Sequence, residues 1–279
     1  MKTTLAALAP QFDAFLIDQF GVLLDGTGAY PRASVTLTAL AQMGKTVVLL
    51  SNSGKRAALN EARLTRLGFD RFSYKTVLSS GEAAYGEINA RIGADIAPRA
   101  AVWIHSRDGD LSPIAGLALS QVENAGMADL LIIAGSRADD FSLAQYRDWL
   151  APAAKRKVPA FCTNPDMKMM TSKGQLFGAG AIAQLYEDLG GTVEWVGKPF
   201  PLIYRVAHDV IGQPDRARVL CIGDSPAHDI AGGQGAGFAT ALVRTGLHAD
   251  LSDAALLEHC KATATPDYII PNFSLGGPQ

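Results

Sequence analysis

AFLIDQFGVLLDGTGAYP, residues 14–31, opens on an apolar run that ends at an acid, Asp18. A short apolar run bounded by turn residues reads as a strand inside a sheet. An aspartate at the end of such a strand is costly unless a cation or a metal meets it. Gly21 lets the chain turn sharply, and Asp25-Gly26 is a good hairpin-turn pair. The stretch therefore reads as strand, tight turn and small hairpin flap. A helix cap is the plain alternative for Asp18 taken alone.

Two further runs follow the same plan. TVVLLSN (46–52) ends in small polar residues, and RVLCIGD (218–224) ends in Asp224. Helical patterns over about 32–43, 55–67, 80–92, 200–211 and 227–236 separate them. Strands alternating with helices predict an α/β fold, a doubly wound parallel sheet with helices on both faces. The polar residues then lie at the carboxyl ends of the strands, where open α/β sheets bind ligands. The middle of the chain carries its own set: strands at 101–106, 129–135 and 158–164, and helices at 141–154 and 179–190. This block is expected to be an inserted α/β cap over residues 95–191. Residues 1–94 and 192–279 would form the core.

The 279 residues carry a formal net charge of −2, with 48% hydrophobic and 19% charged residues, which is an ordered globular composition. No long basic run is present, so a nucleic-acid partner is not expected. No stretch approaches the roughly 20 apolar residues of a membrane helix, and MKTTLAALAPQFDAF lacks the pattern of a signal peptide. Cys162, Cys221 and Cys260 have no CxxC spacing and read as reduced, packed thiols. Together these features predict a cytoplasmic protein with no membrane partner. A homodimer through apolar cap helices is possible, with no motif behind it.

The chemistry-bearing residues fall at element junctions. Ser51, Asn52 and Ser53 end a strand before a helix, where hydroxyls and backbone N–H groups favour an anion; taken alone they read first as ordinary helix caps. VGKPFP (196–201) fixes Lys198 between a strand and a helix starting near Pro199 or Pro201. In CIGDSPAHDIAGGQGAGF (221–238), Asp229 follows Asp224 by five residues. Two close carboxylates repel unless a cation sits between them, and hard oxygen ligands suit magnesium. The glycines of GGQGAG (232–237) follow a helix and lead into ATALV (239–243), the wrong order for a dinucleotide loop. Lys168, Lys173 and Arg137 could meet an acidic substrate, though each reads first as solvated surface.

In that order, DxxGV, strand-Ser-Asn, GKP and GDxxxxDI resemble the haloacid dehalogenase superfamily. The insertion between the Ser and Lys motifs, with CTNPD at 162–166, resembles the NagD-like phosphatases of subfamily IIA, which carry the larger α/β cap. The resemblance covers about residues 12–245. It implies a Rossmann-like core and a magnesium-dependent hydrolase that removes phosphate from a small phosphorylated metabolite, a sugar or nucleotide phosphate. Asp18 would be the nucleophile, Lys198 would neutralise it, and Ser51 would hydrogen-bond the phosphoryl oxygens. Ser51, Asn52, Asn164 and Asp166 would bind substrate. Asp18, Asp224, Asp229 and the backbone carbonyl of Phe20 would hold Mg2+.

Phe20 departs from the pattern, which places a second aspartate two residues after the nucleophile. A phenyl ring does no acid–base work, and general acid–base catalysis typically gives about 10²- to 10⁴-fold. Three expectations follow: another group supplies the proton, the leaving group needs none, or the protein binds a phosphorylated ligand with little turnover. An aromatic at this position also resembles the 2-haloacid dehalogenases, which keeps carbon–halogen hydrolysis as an alternative.

Overall fold

The apolar runs ending at Asp18, Ser51 and Gly223 are adjacent strands of one sheet. The structure is a computed structural model and describes residues 1–171 and 174–276; Lys173 lies outside the described residues. In chain order the elements are α1 (Leu5–Leu8), β1 (Ala14–Asp18), α2 (Ala33–Gln42), β2 (Thr46–Ser51), α3 (Ala57–Arg66), β3 (Thr76–Ser79) and α4 (Ser80–Arg91). Next come β4 (Ala101–His105), β5 (Ser120–Gln121), β6 (Leu130–Ile133), α5 (Leu143–Lys155), β7 (Pro159–Cys162), β8 (Lys168–Thr171), β9 (Gly174–Phe177), α6 (Ala179–Asp188) and β10 (Thr192–Trp195). The chain closes with α7 (Pro201–Val210), β11 (Val219–Gly223), α8 (Ala231–Gly235), β12 (Ala239–Val243), α9 (Asp253–Ala262) and β13 (Tyr268–Ile270).

Two compact units result. The first takes Met1–Ser51, Ala57–Leu78 and the chain from Lys198. Its sheet has the order β13-β12-β11-β1-β2-β3. β1 pairs in parallel with β2 on one side and β11 on the other, with Asp18 opposite Leu50 and Ile17 opposite Ile222. Counted within the unit, this is the doubly wound order 3-2-1-4-5-6, whose direction reverses between β1 and β11. The runs are apolar throughout because both faces are buried. Phe15, Ile17, Val47, Leu49, Leu220 and Ile222 pack on one face with Leu37 and Leu40 of α2 and Leu64 of α3. Leu16, Val48 and Leu50, on the opposite pleat, are buried too.

The glycines at 232 and 233 lie inside α8. A Cβ on Gly232 would come 2.4 Å from the Tyr204 ring, and one on Gly233 would meet Cys221 at 3.0 Å. Their role is close helix packing against α7 and β11.

The second unit takes Asn52–Arg56 and Ser79–Gly197. Its parallel sheet has the order β10-β7-β6-β4-β5, and β8 and β9 form an antiparallel hairpin. Tyr146 and Leu150 of α5 and Ile182 and Tyr186 of α6 pack on Leu131, Ile133, Ala160 and Cys162 of the sheet. α5 begins with a capping box in which Ser142 and Gln145 satisfy each other's backbone N–H. The boundaries expected at 95 and 191 fall inside this unit. α4 belongs to it because Arg91 Nη1 donates to Glu194 Oε2 at 2.6 Å and the Tyr85 hydroxyl donates to the Ala115 carbonyl at 3.1 Å. All three cysteines are buried and free. Among the described residues no helix is long and apolar enough to cross a membrane.

Leu220, fully buried on the central β11, tests the packing of the first sheet. Leu220→Ala is expected to cost about 2–5 kcal/mol, lost transfer energy plus the cavity left behind. Urea denaturation measures it, and a loss under about 1 kcal/mol would mean that the site collapses around the smaller side chain.

Candidate active site

The reversal of strand order between β1 and β11 leaves a crevice at their carboxyl ends. β1 delivers Asp18 there, and the residue after β11 is Asp224. Ser225 accepts from His228 N and starts the turn Pro226–Ile230, which carries Asp229 back to the strand end. Gly223 is needed for that return, since a Cβ there would lie 2.0 Å from Asp229 Cγ. Lys198 stands just ahead of α7, whose first residue is Pro201.

These segments converge on one ammonium. Lys198 Nζ lies 2.7 Å from Asp18 Oδ1 and 2.7 Å from Asp229 Oδ1. Oxygens of Asp18, Asp224 and Asp229 all lie within 4.8 Å of one another. Backbone donors fix each acid: Gln19 N to Asp18 at 2.7 Å, Leu247 N to Asp224 at 2.7 Å, and Ser225 N to Asp229 at 3.1 Å. Asp224 sits between two glycines, Gly21 and Gly246, and a Cβ on either would come 2.1 Å from its Oδ2. Both have φ of +79°, a second reason for glycine. The Thr245 hydroxyl donates to the Gly21 carbonyl at 2.5 Å and ties the turn after β1 to the loop after β12.

Three carboxylates around one ammonium leave the pocket acidic. Burial, then the neighbouring Asp229 and Asp224, push Asp18 up to about 8 against the pull of Lys198. Burial and Asp229 push Asp224 up to about 6. Burial works against the Lys198 charge, but Asp18 and Asp229 outweigh it and hold that pKa above its ordinary value. A divalent cation with oxygen ligands fits this excess of negative charge. Asp18, Asp224 and Asp229 are the carboxylates that could hold it.

Ser51 is buried at the end of β2, one residue past Leu50, the register partner of Asp18. Asn52, Asn164 and Asp166 form a cluster within the second unit. Asn52 Nδ2 donates to Asp166 Oδ1 at 2.8 Å, and Asp166 N donates to Asn164 Oδ1 at 3.2 Å.

Phe20 is half exposed. The Arg63 guanidinium from α3 lies 5.0 Å from its ring centroid and donates to Gln19 Oε1 at 2.5 Å. Burial lowers the Arg63 pKa, and Arg63 Nε and Gln19 Nε2 are buried without a hydrogen-bond partner among the described residues. Sequence reading missed this pair, because nothing local ties an arginine of a mid-chain helix to the turn after β1.

Family models described as "Haloacid dehalogenase-like hydrolase" and "HAD-hyrolase-like" match residues 15–118 and 195–275. The chain belongs to the haloacid dehalogenase-like hydrolases. Human "Chronophin" is 28% identical over 267 residues, covering 93% of this chain and 90% of that protein. "Sugar-phosphatase AraL" of Bacillus subtilis is 29% identical over 268 residues, covering 92% and 89%. The solved structure of a p-nitrophenyl phosphatase from Archaeoglobus fulgidus is 25% identical and superposes with a TM-score of 0.79 over 95% of this chain and 97% of that one. Within the haloacid dehalogenase-like hydrolases the chain is a phosphatase of the NagD-like subfamily IIA group.

The raised carboxylates set a pH dependence for the metal-free protein. An unfolded aspartate titrates near about 4. A group whose folded pKa is raised contributes stability that is full below the unfolded value and lost as pH rises through the folded one. With Asp224 at about 6 and Asp18 at about 8, chelator-treated protein should lose stability steadily from pH 4 to pH 8. Thermal unfolding across that range checks it, and Asp224→Asn should flatten the lower part of the decline. A melting temperature that rose towards pH 8 would contradict this electrostatic picture.

Proposed function

We propose that this phosphatase hydrolyses a small phosphorylated metabolite, a sugar or nucleotide phosphate, with magnesium and through a phosphorylated Asp18. The observation that carries the reading is Asp18 at the end of β1, 2.7 Å from a buried ammonium and grouped with Asp224 and Asp229. The Asp18 carboxylate oxygen forms a bond to phosphorus as the ester P–O bond breaks, and the electron pair leaves on the departing oxygen. Water then cleaves the aspartyl-phosphate, giving inorganic phosphate and the free carboxylate. Lys198 favours the ionised form of Asp18 against burial and the neighbouring acids, which a bound cation would complete, and it offsets charge on the transferring group. The Ser51 hydroxyl donates to the phosphoryl oxygens. Asn52, Asn164 and Asp166 contact the rest of the substrate. A bound Mg2+, held by Asp18, Asp224, Asp229 and the Phe20 carbonyl, would supply charge neutralisation to the phosphoryl oxygens. Likeness to a sugar phosphatase supports the metabolite class. The carbon–halogen alternative needs no cation and leaves the acidic excess around Lys198 without a purpose.

Phe20 shapes the choice of substrate. With no carboxylic acid at that position, the leaving oxygen departs without a proton from this residue. Acidic leaving groups, such as those of aryl and acyl phosphates, then turn over faster than sugar alcohols. The experiment is phosphate release from a panel of sugar, nucleotide, acyl and aryl phosphates, with and without magnesium. Asp18→Asn should abolish release, and an active Asp18→Asn would refute the covalent route. Phe20→Asp should raise the rate on alkyl phosphates by up to about 10²-fold, within the usual range for a general acid. It should barely change the rate on aryl phosphates. An equal rise on both classes would show that protonation is not what limits the natural enzyme.

A further inference from the structure

The sheet of the second unit also reverses its order. Counted within the unit, β5-β4-β6-β7-β10 is 2-1-3-4-5, so the direction changes between β4 and β6. That is the other common doubly wound order, and it too opens a ligand crevice at the carboxyl ends of the strands on either side of the switch. A cavity of about 480 Å³ lies beside β4, along the sheet face next to α5 and reaching the strand ends. His105 ends β4, Glu123 and Asn124 follow β5, and Arg137 follows β6. α5 closes the side with Asp148 and Trp149. The β5-to-β6 connection is a short 3₁₀ turn, Ala125–Met127, rather than an α-helix, and its Ala125 lines the cavity.

The lining combines ring faces with directed polar groups. Trp103 and His105 are stacked, with centroids 5.5 Å apart and planes 17° apart. Trp149 meets Phe141 edge-on at 4.9 Å. The Tyr146 hydroxyl accepts from Arg137 N at 3.1 Å and shares a 2.7 Å hydrogen bond with His105 Nε2. Burial, with Arg137 nearby, lowers the His105 pKa to about 4, so the ring is neutral at ordinary pH. Arg137 is already paired with Asp140 at 2.8 Å and stacked on Phe141 at 4.8 Å. Glu123 and Asp148 have no ion-pair partner among the described residues. The free charge at this cavity is therefore negative.

We infer that this cavity is a second ligand site, separate in sequence from the catalytic residues, for an uncharged planar nitrogen heteroaromatic bearing an exocyclic amine, the chemistry of an unphosphorylated adenine or cytosine nucleoside. The volume suits such a molecule. Trp149, more than a third exposed, offers a ring for stacking above the buried Trp103 and His105, a contact that for a base is worth about 1–3 kcal/mol in single-strand binders. The carboxylates of Glu123 and Asp148, which line the cavity, accept from the amine. The same carboxylates repel a phosphate, so a nucleotide binds less well than its nucleoside.

Two of the three tryptophans line the cavity, which makes intrinsic fluorescence the readout. The full chain is titrated with adenosine, cytidine, AMP and inorganic phosphate. Saturable quenching by a nucleoside at submillimolar concentration is expected, with AMP weaker by about tenfold, equivalent to about 1.4 kcal/mol. Trp149→Ala should weaken nucleoside binding by at least that factor. Glu123→Gln combined with Asp148→Asn, both exposed, should bring AMP level with adenosine. Asp18→Asn should leave the titration unchanged, so failure of the phosphatase reading and failure of this one are distinguishable. No saturable quenching by any nucleoside up to several millimolar would overturn the inference. Quenching that survives Trp149→Ala unchanged would do the same. So would a fluorescence change that follows protein concentration alone, because a second copy would then occupy the cavity.

Discussion

The shared ammonium of Lys198 is the constraint on which the first unit depends. Its side chain is buried, and 2.7 Å contacts reach Asp18 and Asp229. A buried charge left alone is prohibitively costly, and removing one partner of a buried pair typically costs about 3–5 kcal/mol. The ammonium therefore binds three distant stretches of chain, the end of β1, the turn after β11 and the approach to α7, into one geometry. Only a sheet that places β1 beside β11 can satisfy it, and the parallel register from Ala14 opposite Val219 to Ile17 opposite Ile222 does so. Fold and site are here the same requirement, since the strand ends that meet the amine are also the middle of the sheet.

Space around the carboxylates explains much of the local sequence. Asp224 fills the gap between Gly21 and Gly246, and Asp229 folds back over Gly223. Any side chain at these glycines would displace an acid from its backbone donor. The crowding is what raises the carboxyl pKa values: water is excluded from one side and like charges press from the other. A cation relieves both effects at once. The acidic residues are therefore poor packing units but good ligands.

Much of this was legible in sequence, and particular residues show why. AFLID, TVVLLSN and RVLCIGD each combine a run buried on both faces with an abrupt polar end, and each became a central strand within a residue or so of the expected bounds. Lys198 was legible through the prolines and glycine that fix its junction. Other features leave no such trace. β5 is only two residues long, too short to show a period, and the β8–β9 hairpin has mixed exposure. The membership of α4 depends on Arg91 reaching Glu194 and Tyr85 reaching Ala115, contacts distant in sequence. Arg63 beside Phe20 is of the same kind. Arg137, which read as solvated surface, is paired with Asp140 and lines a cavity.

Phe20 separates two functions that a second aspartate would combine. One is a carbonyl two residues past Asp18, which any residue supplies. The other is a carboxyl group able to pass a proton, which phenylalanine lacks. Around it the structure has made other arrangements: the ring is half exposed and lies under Arg63, whose guanidinium also holds Gln19, the residue next to Asp18. Arginine remains protonated at any ordinary pH, so this pair cannot stand in for the acid by giving up a proton. What it adds is a partly buried positive charge next to the turn after β1. The charged cluster of Lys198, Asp224 and Asp229 is thus in place, while the position two residues past Asp18 holds an aromatic ring beside a cation instead of a carboxyl. Under the proposed reaction, a phosphatase with phenylalanine here would depend on the stability of the departing oxygen more than on an acid of its own, however the rest of the substrate is recognised.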